Sequence, residues 1–512
     1  MTSVQTARSV TSSLTLECDV CIIGSGAGGA MLGAGLAQQG LDVIMLEAGP
    51  YKQRADFNMN ESQAFANLYQ NRGLQATDDM SISLLQGSSV GGGTTINWTS
   101  CFRTPESVLD IWQKRFGLSG LTSDALAPHF DAVEERLSVT EWPLENANLN
   151  NRTLIRGAQK LDWEVSPLRR NVSGCVNSGY CGMGCPVNAK QGMLLTTIPD
   201  GLKAGMRLFS EVVAQKLVVK NNRVTEVRAS VKDPDTGRPG PYEVVVRPKR
   251  VVSSCGALHG PALLLRSGIN DHGLVGKRTF IHPVVGLAAE FADPINGFYG
   301  APQSASSHQF IHRGANEVGF FIESAPTHPI LAATAATHFG ANAQGFMSRL
   351  DHLAFLIAIH HDGVLPNDSG GEVRLKSDGR PTLKYEVSSA LNAAFEVAHV
   401  KLTELALAAG AQETSSLHLN PVRCRSTKDI GQYAHQSYGA HQHGIFSAHQ
   451  MGGLTMGSDP KTSVINPDFR HHRIQNLFAV DGSVFPTALG VNPSLTIYAL
   501  AHMARQRIAA SV

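Results

Sequence analysis

The hydrophobic pattern of the chain breaks into runs whose spacing predicts their elements. Glu17 to Ile23 is rich in Val and Ile and reads as a buried β-strand. It runs directly into Gly24-Ser25-Gly26-Ala27-Gly28-Gly29. Small and apolar residues then recur at Ala30, Met31, Leu32, Ala34, Leu36 and Ala37, as in a packed helix. A second apolar run, Asp42 to Leu46, predicts another strand and ends at Glu47. Further along, Val218-Val219 and Val224 to Arg228 flank a polar Asn221-Asn222 turn. Tyr242 to Val246 follows a Pro- and Gly-rich loop that starts at Asp233, so Lys216 to Ser254 reads as a β-meander. Phe320-Phe321-Ile322, with Leu353, Phe355, Leu356 and Ile357, predicts core strands that also offer apolar material for a pocket. Pro493 suits the first position of a helix. Leu495, Tyr498, Ala499, Ala501 and Met503 give that helix a buried side.

Composition adds limits. A chain of 512 residues is too long for one compact core and fits two interleaved domains. With 42% hydrophobic and 17% charged residues and a net charge of +1, it offers no electrostatic case for nucleic acid or an anionic membrane. No apolar run reaches the roughly 18–20 residues of a membrane helix, so no intrinsic membrane span is expected. The Ser/Thr-rich start lacks a signal peptide's apolar stretch. Residues 1–14 are expected to be a disordered tail and the protein cytoplasmic. The alternative is export or membrane association through a partner subunit.

The first glycine cluster has the G-x-G-x-x-G spacing on Gly24, Gly26 and Gly29, set between strand and helix. Gly24 permits a tight turn, Gly26 lets backbone approach a pyrophosphate, and Gly29 lets helix pack on strand. The helix N-terminus offers free N–H groups to phosphates. Glu47 has the spacing of a carboxylate that accepts ribose hydroxyls. These features predict a dinucleotide site without separating FAD from NAD.

Three further segments decide the family. Gly87-Ser88-Ser89-Val90-Gly91-Gly92-Gly93-Thr94-Thr95-Ile96-Asn97-Trp98 carries more glycine than a helix or strand interior tolerates. It resembles the first signature of the glucose–methanol–choline (GMC) oxidoreductases. The second signature is similar to Ser254 through Ile269, with Gly260 where the family usually has Ser. The third is similar to Asn476–Ser483 followed by Asn492-Pro493-Ser494-Leu495-Thr496. The resemblance implies an α/β fold: a Rossmann-like FAD-binding domain with an interleaved α+β substrate domain, as in p-hydroxybenzoate hydroxylase. On that basis residues 15–105, 200–270 and 456–512 are expected to bind FAD, and 106–199 and 271–455 to hold substrate.

The resemblance also assigns residues. Gly87, Ser88, Val90, Gly91, Gly92, Thr94 and Asn97 would follow the flavin and pyrophosphate. Asp481, Gly482, Pro493 and Ser494 would close over the cofactor. Members with covalent FAD can carry His where this chain has Ile96, so the FAD is expected to be non-covalent. Ser447 to Gly457 resembles the family's catalytic segment, which makes His449 the expected base for the hydroxyl proton. Asn492 is expected to orient the substrate oxygen. The implied reaction is oxidation of an alcohol CH–OH to aldehyde or ketone by hydride transfer to flavin, with O₂, a quinone or a cytochrome taking the electrons. A non-redox hydroxynitrile-type lyase that merely retains FAD is the alternative.

Two clusters invite a metal reading. Cys175, Cys181 and Cys185 have the C-x5-C-x3-C spacing of converging thiolates, which suits iron–sulfur ligation. The same spacing occurs in bacterial FAD-dependent sugar dehydrogenase subunits that relay electrons through such a cluster. The surrounding residues equally resemble long-chain alcohol oxidases, in which the cysteines need not hold one. His435, His441 and His443 have no Cys or carboxylate cluster beside them and read as a surface loop or active-site entrance.

Overall fold

The computed structural model describes residues 3–336 and 339–512. Leu14–Ile23 is a strand whose inner residues Val20, Cys21 and Ile22 are wholly buried. That burial follows from its place between two parallel neighbours in a sheet covered on both faces. The neighbours are Val43–Glu47 and Pro239–Ser253. Arg207–Ser210 and then Val4–Gln5 extend the parallel part. Arg223–Lys232 and Val212–Lys220 turn back antiparallel as the expected meander. Pro239–Ser253 joins the two regimes. One of its edges follows Leu14–Ile23, and the other pairs first with the meander and then with Leu477–Ala479. The helix Ala27–Gln38 packs against Ser494–Ala509 and Thr197–Lys203.

The expected disordered tail is corrected. Residues 1 and 2 lie outside the described residues, but Val4 and Gln5 pair with Leu208 and Phe209, and Ala7 and Val10 enter the main core. The edge of Arg207–Ser210 carries backbone groups that need partners, and two apolar side chains in the Ser/Thr-rich stretch fasten the strand there.

A second, nine-stranded sheet has Val284–Glu290, Leu353–His360 and Phe320–Ser324 at its centre, all antiparallel. Side-chain alternation sorts its two faces. Ala354, Leu356 and Ala358 pack beneath the helix Ser389–Ala408, while Phe355, Ile357 and Ile359 belong to the opposite cluster. In the neighbouring strand Phe320 and Ile322 take the helix side and Phe321 the other. Glu323 stands two residues beyond Phe321, on its face. This sheet takes strands from residues 82–84, 166–167 and 284–447, and the first from 4–47, 207–253 and 477–479. The fold is therefore α/β, a Rossmann-like domain interleaved with an α+β part. Among the described residues no helix is long and apolar enough to cross a membrane.

Candidate active site

Between the two sheets lies a cavity of about 920 Å³. Its floor is glycine. Gly24, with φ of 101°, turns the chain beneath Ser254 so closely that a Cβ there would stand 2.2 Å from the Ser254 carbonyl oxygen. Gly26 and Gly92 bring two glycine-rich loops together, and a Cβ on Gly92 would lie 2.8 Å from the Gly26 Cα. The helix Ala27–Gln38 starts at this contact with no side-chain cap, so its first N–H groups remain for a phosphate. A flat dinucleotide fits this side-chain-free cradle.

The residues expected to hold the cofactor divide into two groups. Gly24, Gly26, Glu47, Gly87, Ser88, Gly92, Thr94 and Asn97 line the cavity from the first two loops. Asp481, Gly482, Pro493 and Ser494 line it from the last motif, where the helix Ser494–Ala509 begins. Gly29, Val90 and Gly91 do not face it. Gly29 packs on the Gly24 carbonyl, Val90 is buried in the core, and the Gly91 N–H donates to Ser25 Oγ at 3.0 Å.

Glu47 and Asp481 are also structural. Glu47 accepts from Ser25 N and Oγ on one oxygen and from Gly49 N on the other, at 2.6–2.9 Å. Asp481 accepts from Gly256 N and Ser483 N, both at 2.7 Å, and so ties the second signature to the third. Burial raises the Asp481 carboxyl above its usual range.

His449 and Asn492 line the same cavity. His449 Nδ1 lies 3.2 Å from His282 Nδ1. The backbone N–H of Gly490 donates to His282 Nε2 at 3.1 Å. His282 therefore holds its proton on Nδ1 and gives that hydrogen bond to His449, whose own proton sits on Nε2. Burial lowers His449 to about 4 and His282 well below its ordinary value, so both rings are neutral near pH 7. Asp362 fixes the backbone at this point by accepting from Ile281 N and His282 N, each at 3.0 Å.

A third polar group completes the wall. Glu323 is fully buried and lines the cavity. Its Oε2 accepts from Gln303 Nε2 at 2.5 Å, Gln303 Oε1 accepts from Ser100 Oγ at 2.7 Å, and Glu323 Oε1 has no partner. Burial pushes the carboxyl up to about 8, against the opposing pull of Asn492 and Gln303. Asn492 Oδ1 likewise has no partner. Beside Glu323, on the same sheet face, stand Val284, Ile357 and Ile359, and Phe446 lines the cavity with them.

Residues 65–284 and 366–501 match the models of the GMC oxidoreductase family, and residues 17–74 match an FAD binding domain. An uncharacterised GMC-type oxidoreductase of Mycobacterium tuberculosis is 30% identical over 488 residues, which cover 95% of this chain and 75% of that protein. The chain belongs to the GMC oxidoreductase family. The long-chain-alcohol oxidase FAO4A of Arabidopsis thaliana is 29% identical over 96% of this chain and 68% of its own. The solved pyridoxine 4-oxidase from Mesorbium loti shares the fold with a TM-score of 0.70 at 18% identity, covering 96% of this chain and 98% of that one. This GMC protein is an FAD-dependent oxidoreductase acting on the CH–OH group of donors.

Other expected sites fare differently in this GMC chain. Cys175, Cys181 and Cys185 come together around one cleft of about 10 Å³. Burial raises the Cys181 thiol, against the lowering pull of Arg170 and Lys190. Lys190 braces this segment, donating to the carbonyls of Thr95, Asn97 and Cys181 at 2.6–2.9 Å. His435, at the end of the 3-10 helix Thr427–His435, and His441 are exposed, but His443 is buried against His399. Sequence reasoning missed Glu323, His282 and Gln303. The available signal for Glu323 was a lone acid two residues beyond Phe321 in an otherwise apolar strand.

Proposed function

We propose that the protein oxidises alcohols with a hydrocarbon body to the aldehyde or ketone, with FAD held non-covalently. The observation that carries this reading is the meeting of the glycine cradle with His449, Asn492 and Glu323 in one cavity under an apolar sheet face. FAD, when bound, supplies the acceptor for the carbinol hydride.

The chain's own residues handle the proton. His449 offers its Nε2–H to the carbinol oxygen and steadies the charge that develops there. The hydroxyl proton passes to the unpartnered Oε1 of ionised Glu323 as the C=O bond forms. In this reading Glu323 takes the base role expected of His449, whose Nε2 carries a proton in the arrangement that His282 and Gly490 set. Asn492, which reaches the Glu323 carboxyl and lines the same cavity as His449, holds the oxygen between them.

Val284, Ile357, Ile359 and Phe446 favour a hydrocarbon over a sugar, whose hydroxyls would lose their hydrogen bonds against that wall. The likeness to long-chain-alcohol oxidases agrees with this. The test is anaerobic mixing of the flavoprotein with straight-chain and aromatic primary alcohols and with hexoses. Bleaching of the flavin band by the alcohols and not the hexoses is expected. An enzyme that stays yellow with all of them overturns the reading. If it also releases cyanide from a cyanohydrin, the lyase alternative takes its place. Mixing the reduced enzyme with air, a quinone or a cytochrome then identifies the electron acceptor.

A further inference from the structure

Away from the flavin cavity, three histidines converge from separate stretches of chain. His399 lies on the helix Ser389–Ala408, His418 just past the strand Glu413–Ser416, and His443 just before Ile445–Ser447. All are buried, with 0%, 2% and 5% of their surface exposed. One ring nitrogen from each lies within 4.8 Å of the other two. We propose that His399, His418 and His443 form a binding site for one divalent transition cation of the Zn²⁺ class.

The donor chemistry selects the ion. Three imidazoles with no carboxylate among them suit Zn²⁺ and its borderline neighbours, and disfavour Ca²⁺ and Mg²⁺, which need oxygen. A tetrahedral Zn²⁺ at about 2.0–2.1 Å from each nitrogen needs nitrogens roughly 3.4 Å apart. His399 Nε2 and His443 Nε2 are already 3.1 Å apart, and the His418 nitrogen, within 4.8 Å of both, has only to close in on them to complete the set. The fourth position is left to a water.

The surroundings prepare the rings. His399 Nδ1 donates to the Phe395 carbonyl at 2.8 Å, which leaves its Nε2 as a lone pair facing the cluster. His418 Nδ1 is hydrogen-bonded to Ser416 Oγ at 2.8 Å, which orients that ring. In the metal-free state His443 donates Nε2–H to His399. The ion takes the place of that hydrogen bond, and the His443 proton moves to Nδ1. None of the three lines the flavin cavity. The ion would instead pin the Ser389–Ala408 helix to the segment that runs from His443 to His449.

The holoprotein, stripped with a chelator, would be titrated with ZnSO₄ by calorimetry and by thermal melting. One Zn²⁺ per chain and a melting point raised by several degrees are expected. His399→Gln and His418→Gln should each weaken Zn²⁺ binding at least tenfold, whereas His435→Gln/His441→Gln, at exposed positions, should leave it unchanged. Binding that persists in both single variants, or wild-type protein that takes up no Zn²⁺, overturns the proposal. Should those variants fail to fold, X-ray absorption of the zinc-loaded wild type decides. Imidazole scattering from three nitrogens supports the site, and its absence overturns it.

Discussion

His282 and His449 meet through their Nδ1 atoms at 3.2 Å, and the direction of that hydrogen bond is set from outside the pair. The Gly490 N–H occupies the far nitrogen of His282, which leaves only one arrangement of protons. His282→Phe removes the donor and frees His449 to carry its proton on either nitrogen. Anaerobic stopped-flow should show flavin reduction about 10- to 100-fold slower with substrate affinity little changed. A variant that reduces flavin at the wild-type rate would show that the tautomer does not matter.

Glu323 sets the expected pH dependence. With its carboxyl at about 8, roughly a tenth is ionised at pH 7. The flavin reduction rate should therefore climb with pH and level off above about 8. Glu323→Gln should lose at least a hundredfold in rate together with the climb, and Glu323→Asp should recover part of both.

The same shift bears on stability with the opposite sign. The folded state favours protonated Glu323, so its contribution is present below the ordinary carboxylate range and is lost as pH rises through about 8. Glu323→Gln should thus melt higher than wild type at pH 9 and close to it at pH 5.

Lys190 is buried, burial lowers it to about 8, and three backbone carbonyls depend on it. Lys190→Met leaves those carbonyls without their donor, at a cost of about 3 kcal/mol or more. The Thr95–Asn97 stretch would loosen, and FAD should be released at lower denaturant concentration than in wild type.

Ile96 lines the cavity where a covalent attachment residue would stand. Acid precipitation should free all the flavin into the supernatant. Iron analysis of anaerobically purified protein tests Cys175, Cys181 and Cys185, which border one cleft: iron in step with flavin would show that they hold a cluster, and flavin alone that they are structural.

Much of the fold was legible because its signals are local. The glycine spacing from Gly24 to Gly29 and the Asn221-Asn222 turn each fix a conformation within a few residues. Glu47, His449 and Asn492 sit beside such signals and reach the cavity. Glu323 was hidden because its role depends on which sheet face looks at the cavity, and that is decided by strands far away in sequence. His282 was hidden for a similar reason, since its partners Gly490 and His449 lie 208 and 167 residues further on. The tail was misread because the strand edge that captures Val4 and Gln5 comes some two hundred residues later.

The long strand Pro239–Ser253 has a consequence for how the molecule is made. Its neighbours Leu14–Ile23 and Leu477–Ala479 belong to opposite ends of the described chain, and the cavity is walled by both Gly24 and Ser494. A nascent chain on the ribosome has no complete flavin cradle until the last motif emerges. Flavin capture that needs both walls follows synthesis of the segment that carries Ser494, and the distant pairings slow the assembly that precedes it.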